Sequence, residues 1–586
     1  MNRCTINAIF NEVKKYKKEF FLGQLIAIVS TILISITPLF MPVLVDELLL
    51  GRKPVLTGFI SKNILSMSPM GYIFAILILL MFLRICASLL SVLQTRIFSI
   101  ISKDITYKLR IKLLEHLKRV TLKEYENFSV GEITSKLVTD CESVDDFIGS
   151  TTSKLIVAIL TLIFSTVILL WINWQLALFI LITNPVVVFF TAKMSRNIGK
   201  LKKDTNKSVA TFQSNASETL ELFHQIKATN KEDYFFNKIT QSAKELRNFA
   251  IKFNYKSDMA IKWSSLLFLN GYEIFRAAGL LAVMYSDLSV GLMLAIFSYL
   301  WIMAGPTQDI INFQYSLANA KASCERINEI LSLKQEKPVV NGSNPFFNKE
   351  SIDIELKNIT FSYKDDKKIL KNINMKFTKG EHVAIVGASG SGKTTLANLI
   401  VGFYNPDSGE IFYDGIESKN IALSTIRENI HLILQQPKLF NDTIRFNLTL
   451  GESFSEDQIA NAIELAQLSD VIGALDDGLQ TKLGRDGIRL SGGQRQRVAI
   501  ARMILHDPKV IIFDESTSAL DTHTEIRLFH NLKKFLVNKT VITIAHRLST
   551  IQNADMIFVV ENGVLVDSGT PQELLAKENS YFANMK

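Results

Sequence analysis

Over its first 315 residues the chain is dominated by long, largely apolar runs, and beyond that point they stop. The runs fall at 20–48, 71–99, 152–172, 174–194, 262–285 and 290–312. Each approaches or exceeds the roughly 20 residues a helix needs to cross hydrocarbon, so six spans are predicted. The third and fourth are joined by a tight turn at Asn173 and Trp174, the fifth and sixth by 286–289. Each of these pairs reads as a hairpin with almost no chain on one side of the membrane. The connections on the other side, 100–151 and 195–261, are long, polar, lysine-rich and helix-favouring.

Lysines give the pattern an orientation. Lys14, Lys15, Lys17 and Lys18 precede the first span, and Lys200, Lys202 and Lys203 follow the fourth. An excess of Lys and Arg marks the cytoplasmic side, which places both termini and both long connections there. The loop 51–70, with Arg52, Lys53 and Lys62, runs against the rule and is outweighed by the hairpins. The expectation is a multi-pass protein of the cytoplasmic membrane.

Past Leu331 the apolar periodicity is lost. Residues 332–351 gain Pro, Gly, Asn and Lys and read as a linker. From Ile352, alternating runs at 352–356 and 375–377 and buried-strand runs at 382–386 and 510–513 lie beside helix-like segments, an α/β pattern with a mixed sheet. The domains expected are therefore 1–331, a linker at 332–351, and 352–586.

Composition adds two exclusions. The 586 residues are 48% hydrophobic, with a mean hydropathy of +0.20, high for a wholly soluble protein. The net charge of +9 admits nucleic acid or an anionic membrane surface as partner. Because the lysines gather beside apolar spans, membrane topology accounts for them and no nucleic acid partner is expected. Cys4, Cys86, Cys141 and Cys324 are far apart and match no zinc or redox spacing, so they read as free thiols. No removable signal peptide is expected, because the first apolar run is long enough to be a span.

The chemistry lies in the second part. The strand ending at Val386 runs into Gly387, Ala388, Ser389, Gly390, Ser391, Gly392, Lys393 and Thr394, followed by a helix-like run from Thr395. Glycines let successive backbone N–H groups turn toward phosphate oxygens, and the helix N-terminus adds a favourable dipole. Lys393 would reach the outer phosphates of ATP, and the Thr394 hydroxyl would ligate Mg²⁺. A second element, 510–515, is an apolar strand ending in Asp514 and Glu515. Asp514 would hold Mg²⁺ through its water shell and Glu515 would act as general base toward the attacking water. On its own, such a strand is more often structural; the upstream phosphate loop gives it weight.

Between them stands Leu490, Ser491, Gly492, Gly493 and Gln494, a second helix start suited to an anion. With this run between the two nucleotide motifs, the chain resembles the ATP-binding cassette (ABC) exporters that fuse a transmembrane half to a nucleotide-binding half. The resemblance implies a six-helix membrane bundle, then an α/β P-loop ATPase domain with a helical signature subdomain. It implies that Tyr363 stacks on adenine, that Gln435 links the Mg²⁺ and water site to the membrane half, that Asp521 lies on a dimer-interface loop, and that His546 contacts the γ-phosphate. It also implies a homodimer, with 490–494 of one subunit completing the site of the other. One departure stands out: Arg485 occupies the place of the usual Glu in the loop before the signature, which leaves that loop's contact with the membrane half in doubt.

The resemblance further makes 125–132 and 212–219 candidate coupling segments between ATPase and membrane. Arg84, Glu273, Arg276 and Trp301 fall near mid-span and are candidates to line a cavity, since charge deep in hydrocarbon usually faces protein or water. The competing account is that Glu273 pairs with Arg276 or Arg84 to lock the bundle. The implied activity is ATP-driven export of a peptide or amphipathic small molecule, with a flippase of lipid or lipid-linked sugar as the alternative. A non-transport ATPase acting on DNA or ribosomes, and an importer, are disfavoured. Only about 19 residues precede the first span, so no leader peptidase is expected there.

Overall fold

Asn173 ends one membrane helix and starts the next. It breaks the helical path with φ −156°, and its side chain accepts a hydrogen bond from the N–H of Leu176. On either side lie α5 (Thr152–Ile172) and α6 (Trp174–Glu221). The computed structural model describes residues 3–52, 68–339, 342–363, 367–484, 487, 489–515, 519–545, 551 and 553–577, with backbone alone at 181, 183–199, 261, 264, 268, 307, 311 and 522. Two units emerge, Met1–Lys118 with Val130–Ser332, and Arg119–Ser129 with Leu333–Lys586.

Among the described residues the first unit is mainly helical. It holds α1 (Ile6–Val13), α2 (Lys17–Ile36), α3 (Pro69–Leu117), α5, α6, α7 (Glu232–Tyr285) and α8 (Val290–Leu331). Thr37–Phe40 and Val43–Leu49 prolong α2 in tighter and wider turns. Among the described residues five helical runs are long and apolar enough to span a membrane, where six were expected. The remaining expected span, 174–194, lies within α6, much of it given as backbone alone. Leu169, Ile180, Phe275, Tyr299 and Met303 form the buried junction of α5 to α8. The carboxylate of Asp46 caps the start of α8, taking hydrogen bonds from the Ser289 hydroxyl at 2.5 Å and the Gly291 N–H at 3.0 Å. Gly291 must lack a side chain, since a Cβ there would lie 2.5 Å from that carboxylate.

The long helices pass beyond the spans into polar extensions held by charge. Asp140 receives the guanidinium of Arg326, and Asp145 the hydroxyl of Ser102. The segment expected at 212–219 forms the last turns of α6, and a separate short helix follows at Phe223–Ala228.

The second unit carries two sheets. β1 (Ile354–Phe361), β2 (Leu370–Phe377), β4 (Ser408–Tyr413) and β5 (Ile416–Glu417) form an antiparallel sheet in the order β2-β1-β4-β5. The larger sheet comprises β3 (His382–Val386), β6 (Ile430–Ile433), β7 (Val510–Asp514), β8 (Thr540–Ile544), β9 (Met556–Glu561) and β10 (Val564–Gly569), ordered β10-β9-β3-β8-β7-β6. Strands β3, β6, β7, β8 and β9 run parallel, and β10 returns antiparallel. Burial on both faces explains the apolar runs at 383–386 in β3 and 510–513 in β7. Ile385 and Asp514 both pair with Ile544, so the carboxyl ends of β3 and β7 emerge on one edge with β8 between them. Parallel sheets present their ligand sites at that edge.

Candidate functional site

The phosphate loop leaves β3 at Gly387 and ends at Gly392, which starts α9 (Lys393–Ile400) with φ +104°. Gly387 has φ +148°, and a Cβ there would lie 2.0 Å from the Val560 carbonyl oxygen, so the loop can pass only as glycine. Within this curl the Lys393 ammonium donates to the carbonyl oxygens of Gly387 and Ala388, both at 2.9 Å. Burial lowers its pKa, against the pull of Glu515 and Asp514. Ser391 Oγ is buried and has no hydrogen-bond partner among the described residues. A hydroxyl left unmatched in a glycine cradle fits a phosphate oxygen.

Across the edge, Thr394 Oγ1 donates to Asp514 Oδ1 at 3.2 Å, bringing together two of the three side chains expected at Mg²⁺. Glu515 follows in the left-handed region, φ +46°, a strained setting for a residue with a Cβ. Its carboxylate accepts from Gln435 Nε2 at 2.7 Å, and the Gln435 carbonyl accepts from Gln496 Nε2 at 2.9 Å. Gln496 belongs to α10 (Gly492–His506), the helix that the signature opens. Gln435, Glu515 and the signature helix are thus joined by hydrogen bonds within one chain.

Ser491 caps α10 in a reciprocal box: its hydroxyl accepts from Gln494 N–H, and Gln494 Oε1 from Ser491 N–H. A side chain on Gly493 would meet the Ala519 carbonyl at 3.0 Å and Leu520 at 2.9 Å. The next residue, Asp521, caps α11 (Thr522–Leu536) by accepting from Thr524 N–H at 3.0 Å, and the Thr524 hydroxyl together with this N–H lowers its carboxyl pKa. His546 and Arg485 lie outside the described residues.

Tyr363 sits beyond β1, its hydroxyl 3.1 Å from Thr395 Oγ1 at the start of α9. Its ring meets that of Tyr404 edge-on at 5.3 Å. Tyr404, absent from the sequence reading, donates its hydroxyl to Glu126 at 2.7 Å. Glu126 follows α4 (Leu122–Tyr125), which lies in the first expected coupling segment, and Leu122 packs on the core of the second unit. No local pattern marks this contact, because its partners are 278 positions apart.

The mid-span residues are less closely assembled. Glu273 and Arg276 pair at 2.7 Å, with side chains 55% and 53% exposed in the single chain, so pairing does not bury them. Trp301, also exposed, lies against Tyr272, ring centroids 5.8 Å apart, and Arg84 is exposed on α3.

Residues 20–307 match the ABC transporter transmembrane region and residues 370–518 the ABC transporter domain. The chain belongs to the ABC transporters. Relatives of this ABC transporter include proteins named ATP-dependent lipid A-core flippase. That of Photobacterium profundum is 31% identical over 562 residues, 94% of each chain. That of Photorhabdus laumondii is 32% identical over 549 residues, 92% of each, and that of Escherichia coli 31% over 572, covering 96% of this chain and 94% of its own. A bacterial Atm1-family ABC exporter with ATP bound superposes with a TM-score of 0.83 over 97% of each chain at 24% identity, a likeness of fold. The ABC transporter described here is a multi-pass membrane protein whose ATP hydrolysis drives transport. The names of its relatives support the flippase alternative better than export of a peptide or small molecule.

Proposed function

We propose that this chain is a homodimeric, ATP-driven flippase that carries a lipid or lipid-linked sugar across the cytoplasmic membrane, with both termini in the cytoplasm. The observation that carries the substrate class is the end-to-end similarity to proteins named as lipid flippases. The exposed pair Glu273–Arg276 and the Tyr272–Trp301 contact support it, since a charged pair beside aromatic rings suits a polar headgroup with an apolar tail.

In the nucleotide site, Lys393 would exchange its two carbonyl partners for the outer phosphates. Tyr363 would stack on adenine. Thr394, Asp514 and Gln435 would hold Mg²⁺, which supplies charge neutralisation beside the phosphates. Glu515, oriented by Gln435, would take the proton of the attacking water, with His546 at the γ-phosphate. The 490–494 tip of a second copy would close each site. Two bound ATP molecules then favour the closed dimer and outward-facing helices, and hydrolysis restores the inward-facing state, provided ATP binds the closed dimer more tightly.

The test is reconstitution with a fluorescent headgroup-labelled lipid, scored by ATP-dependent loss of the label from the outer-reagent-accessible pool. ATP-dependent movement of the lipid is expected. ATP-driven uptake of peptides or soluble dyes into inverted vesicles, with no lipid movement, would overturn the lipid reading.

A further inference from the structure

Four thiols spread through the sequence gave no motif, yet folding brings two of them into contact. Cys4 and Cys324 are both buried, 1% and 3% exposed, and the Cys4 thiol donates to the Cys324 sulfur with the two Sγ atoms 3.0 Å apart. Cys4 lies just before the cap of α1, and Cys324 near the cytosolic end of α8, which finishes at Leu331.

Three further features define the setting. Asn328, one turn beyond Cys324, holds the Cys4 backbone from both sides: the Cys4 N–H donates to Asn328 Oδ1 at 2.6 Å and Asn328 Nδ2 to the Cys4 carbonyl at 2.7 Å. This clamp fixes the register of the two sulfurs. The Lys112 ammonium of α3 acts electrostatically on Cys4 and is shut from solvent with no hydrogen-bond partner among the described residues. The third thiol, Cys141, is buried within electrostatic reach of both others. The hydrogen bond that Cys4 donates favours the thiolate at Cys324, the form that reacts with oxidants, while the Lys112 charge acts on Cys4. Nothing in the nucleotide site or the mid-span cluster uses these groups.

We propose that Cys4 and Cys324 are a peroxide-sensitive dithiol whose oxidation links the segment before α1 to the end of α8 and slows the ATP cycle. The Cys324 thiolate attacks one oxygen of hydrogen peroxide, the O–O bond breaks, and the departing hydroxide takes up the proton lost by the thiol. The resulting sulfenic acid is attacked by Cys4; the S–S bond forms, the S–O bond breaks, and a second water leaves. Two thiols and one peroxide thus give one disulfide and two waters. Release of the Asn328 clamp admits the oxidant, an opening confined to a short segment. Once closed, the bond replaces a clamp of two hydrogen bonds with a covalent tie. It holds the residues that precede the first span against the last turns of α8, and turnover slows if these elements must shift during transport.

The full-length protein in lipid, treated with hydrogen peroxide and quenched with a thiol-alkylating reagent, supplies the test. Peptide mapping without reductant should find the Cys4 and Cys324 peptides joined and two hydrogens lighter than their sum, while Cys86 is alkylated. ATP turnover should fall and return on adding a reductant. Cys4→Ser and Cys324→Ser should each keep basal turnover and resist the fall. Cys141→Ser controls for the third thiol and should still show it. A Cys4–Cys324 link that leaves turnover unchanged, no such link, or an equal loss in the Ser variants would each overturn the proposal. The mapped link does not depend on which substrate is carried, so its failure is separable from that of the flippase reading.

Discussion

Gln435 donates its side-chain N–H to Glu515 across 2.7 Å, and its own backbone carbonyl is held by Gln496 of the signature helix. The proposed base is thereby oriented by a residue anchored to the element that would reach a second nucleotide. An amide can donate without competing for the proton that Glu515 must accept.

Replacing Glu515 with Gln should keep ATP binding and lower turnover by about 10²–10⁴-fold, the usual range for loss of a general base. Equilibrium binding of a fluorescent ATP analogue beside phosphate release separates the two effects. Turnover at the wild-type rate would remove Glu515 from that role. Gln435→Ala should cost less, because it disturbs the base without deleting it.

Tyr404→Phe removes one hydrogen bond to Glu126 and leaves the ring packed against Tyr363. A bond to a charged acceptor is worth about 1.5–3 kcal/mol, so the docking of the 119–129 segment should loosen while adenine binding persists. Substrate moved per ATP hydrolysed should fall, with Glu126→Gln giving a milder version. Unchanged stoichiometry in both variants would make the contact structural alone.

Gly493→Ala tests the close approach of the signature helix to the loop before Asp521. The new methyl would meet a backbone carbonyl at 3.0 Å, so that loop must shift. A tenfold drop in turnover corresponds to about 1.4 kcal/mol of lost transition-state stabilisation, and a drop of at least that order is expected. Circular dichroism and ATP binding should stay near wild type; a protein that hydrolyses normally would show the loop to be compliant.

His431 supplies a pH dependence. Burial, with His506 and Arg502 adding repulsion, pulls its pKa down to about 4 from an ordinary value near 6.5. The unfolded chain therefore takes up the proton first, so the stability is fully present above about 6.5 and is lost as pH falls toward 4, at up to ~1.4 kcal/mol per pH unit. Thermal unfolding of the whole protein in detergent between pH 7.5 and 5 should show this loss, reduced in His431→Gln. Parallel curves for the two proteins would count against it.

Glu273→Gln and Arg276→Gln should each change lipid-stimulated ATPase while leaving basal turnover near wild type, because the nucleotide site lies in the other unit. If stimulation is unaltered in both, the pair serves helix packing and the cavity lies elsewhere.

Much of the site was legible because its chemistry is local. The glycines around Lys393 and the carboxylates ending β7 occupy short stretches whose geometry follows from their own residues. The sheet then brings those stretches together through the shared partner Ile544. What escaped the sequence depends on distant pairing. Tyr404 with Glu126, Cys4 with Cys324, and Asp46 with Gly291 each join positions more than two hundred residues apart, with no spacing rule to announce them. The grouping of 119–129 with the second unit has no local signal either, since Leu122 is apolar for a core that its own neighbours do not build.

That last residue has a consequence for how the protein is made. The stretch Arg119–Ser129 leaves the ribosome about two hundred residues ahead of the core it completes. Until Ile354–Phe361 and its companions are translated, Leu122 has no core to pack against and its side chain stays unburied. A fragment begun at Leu333 has the converse defect, since the core face that Leu122 packs against is left uncovered there.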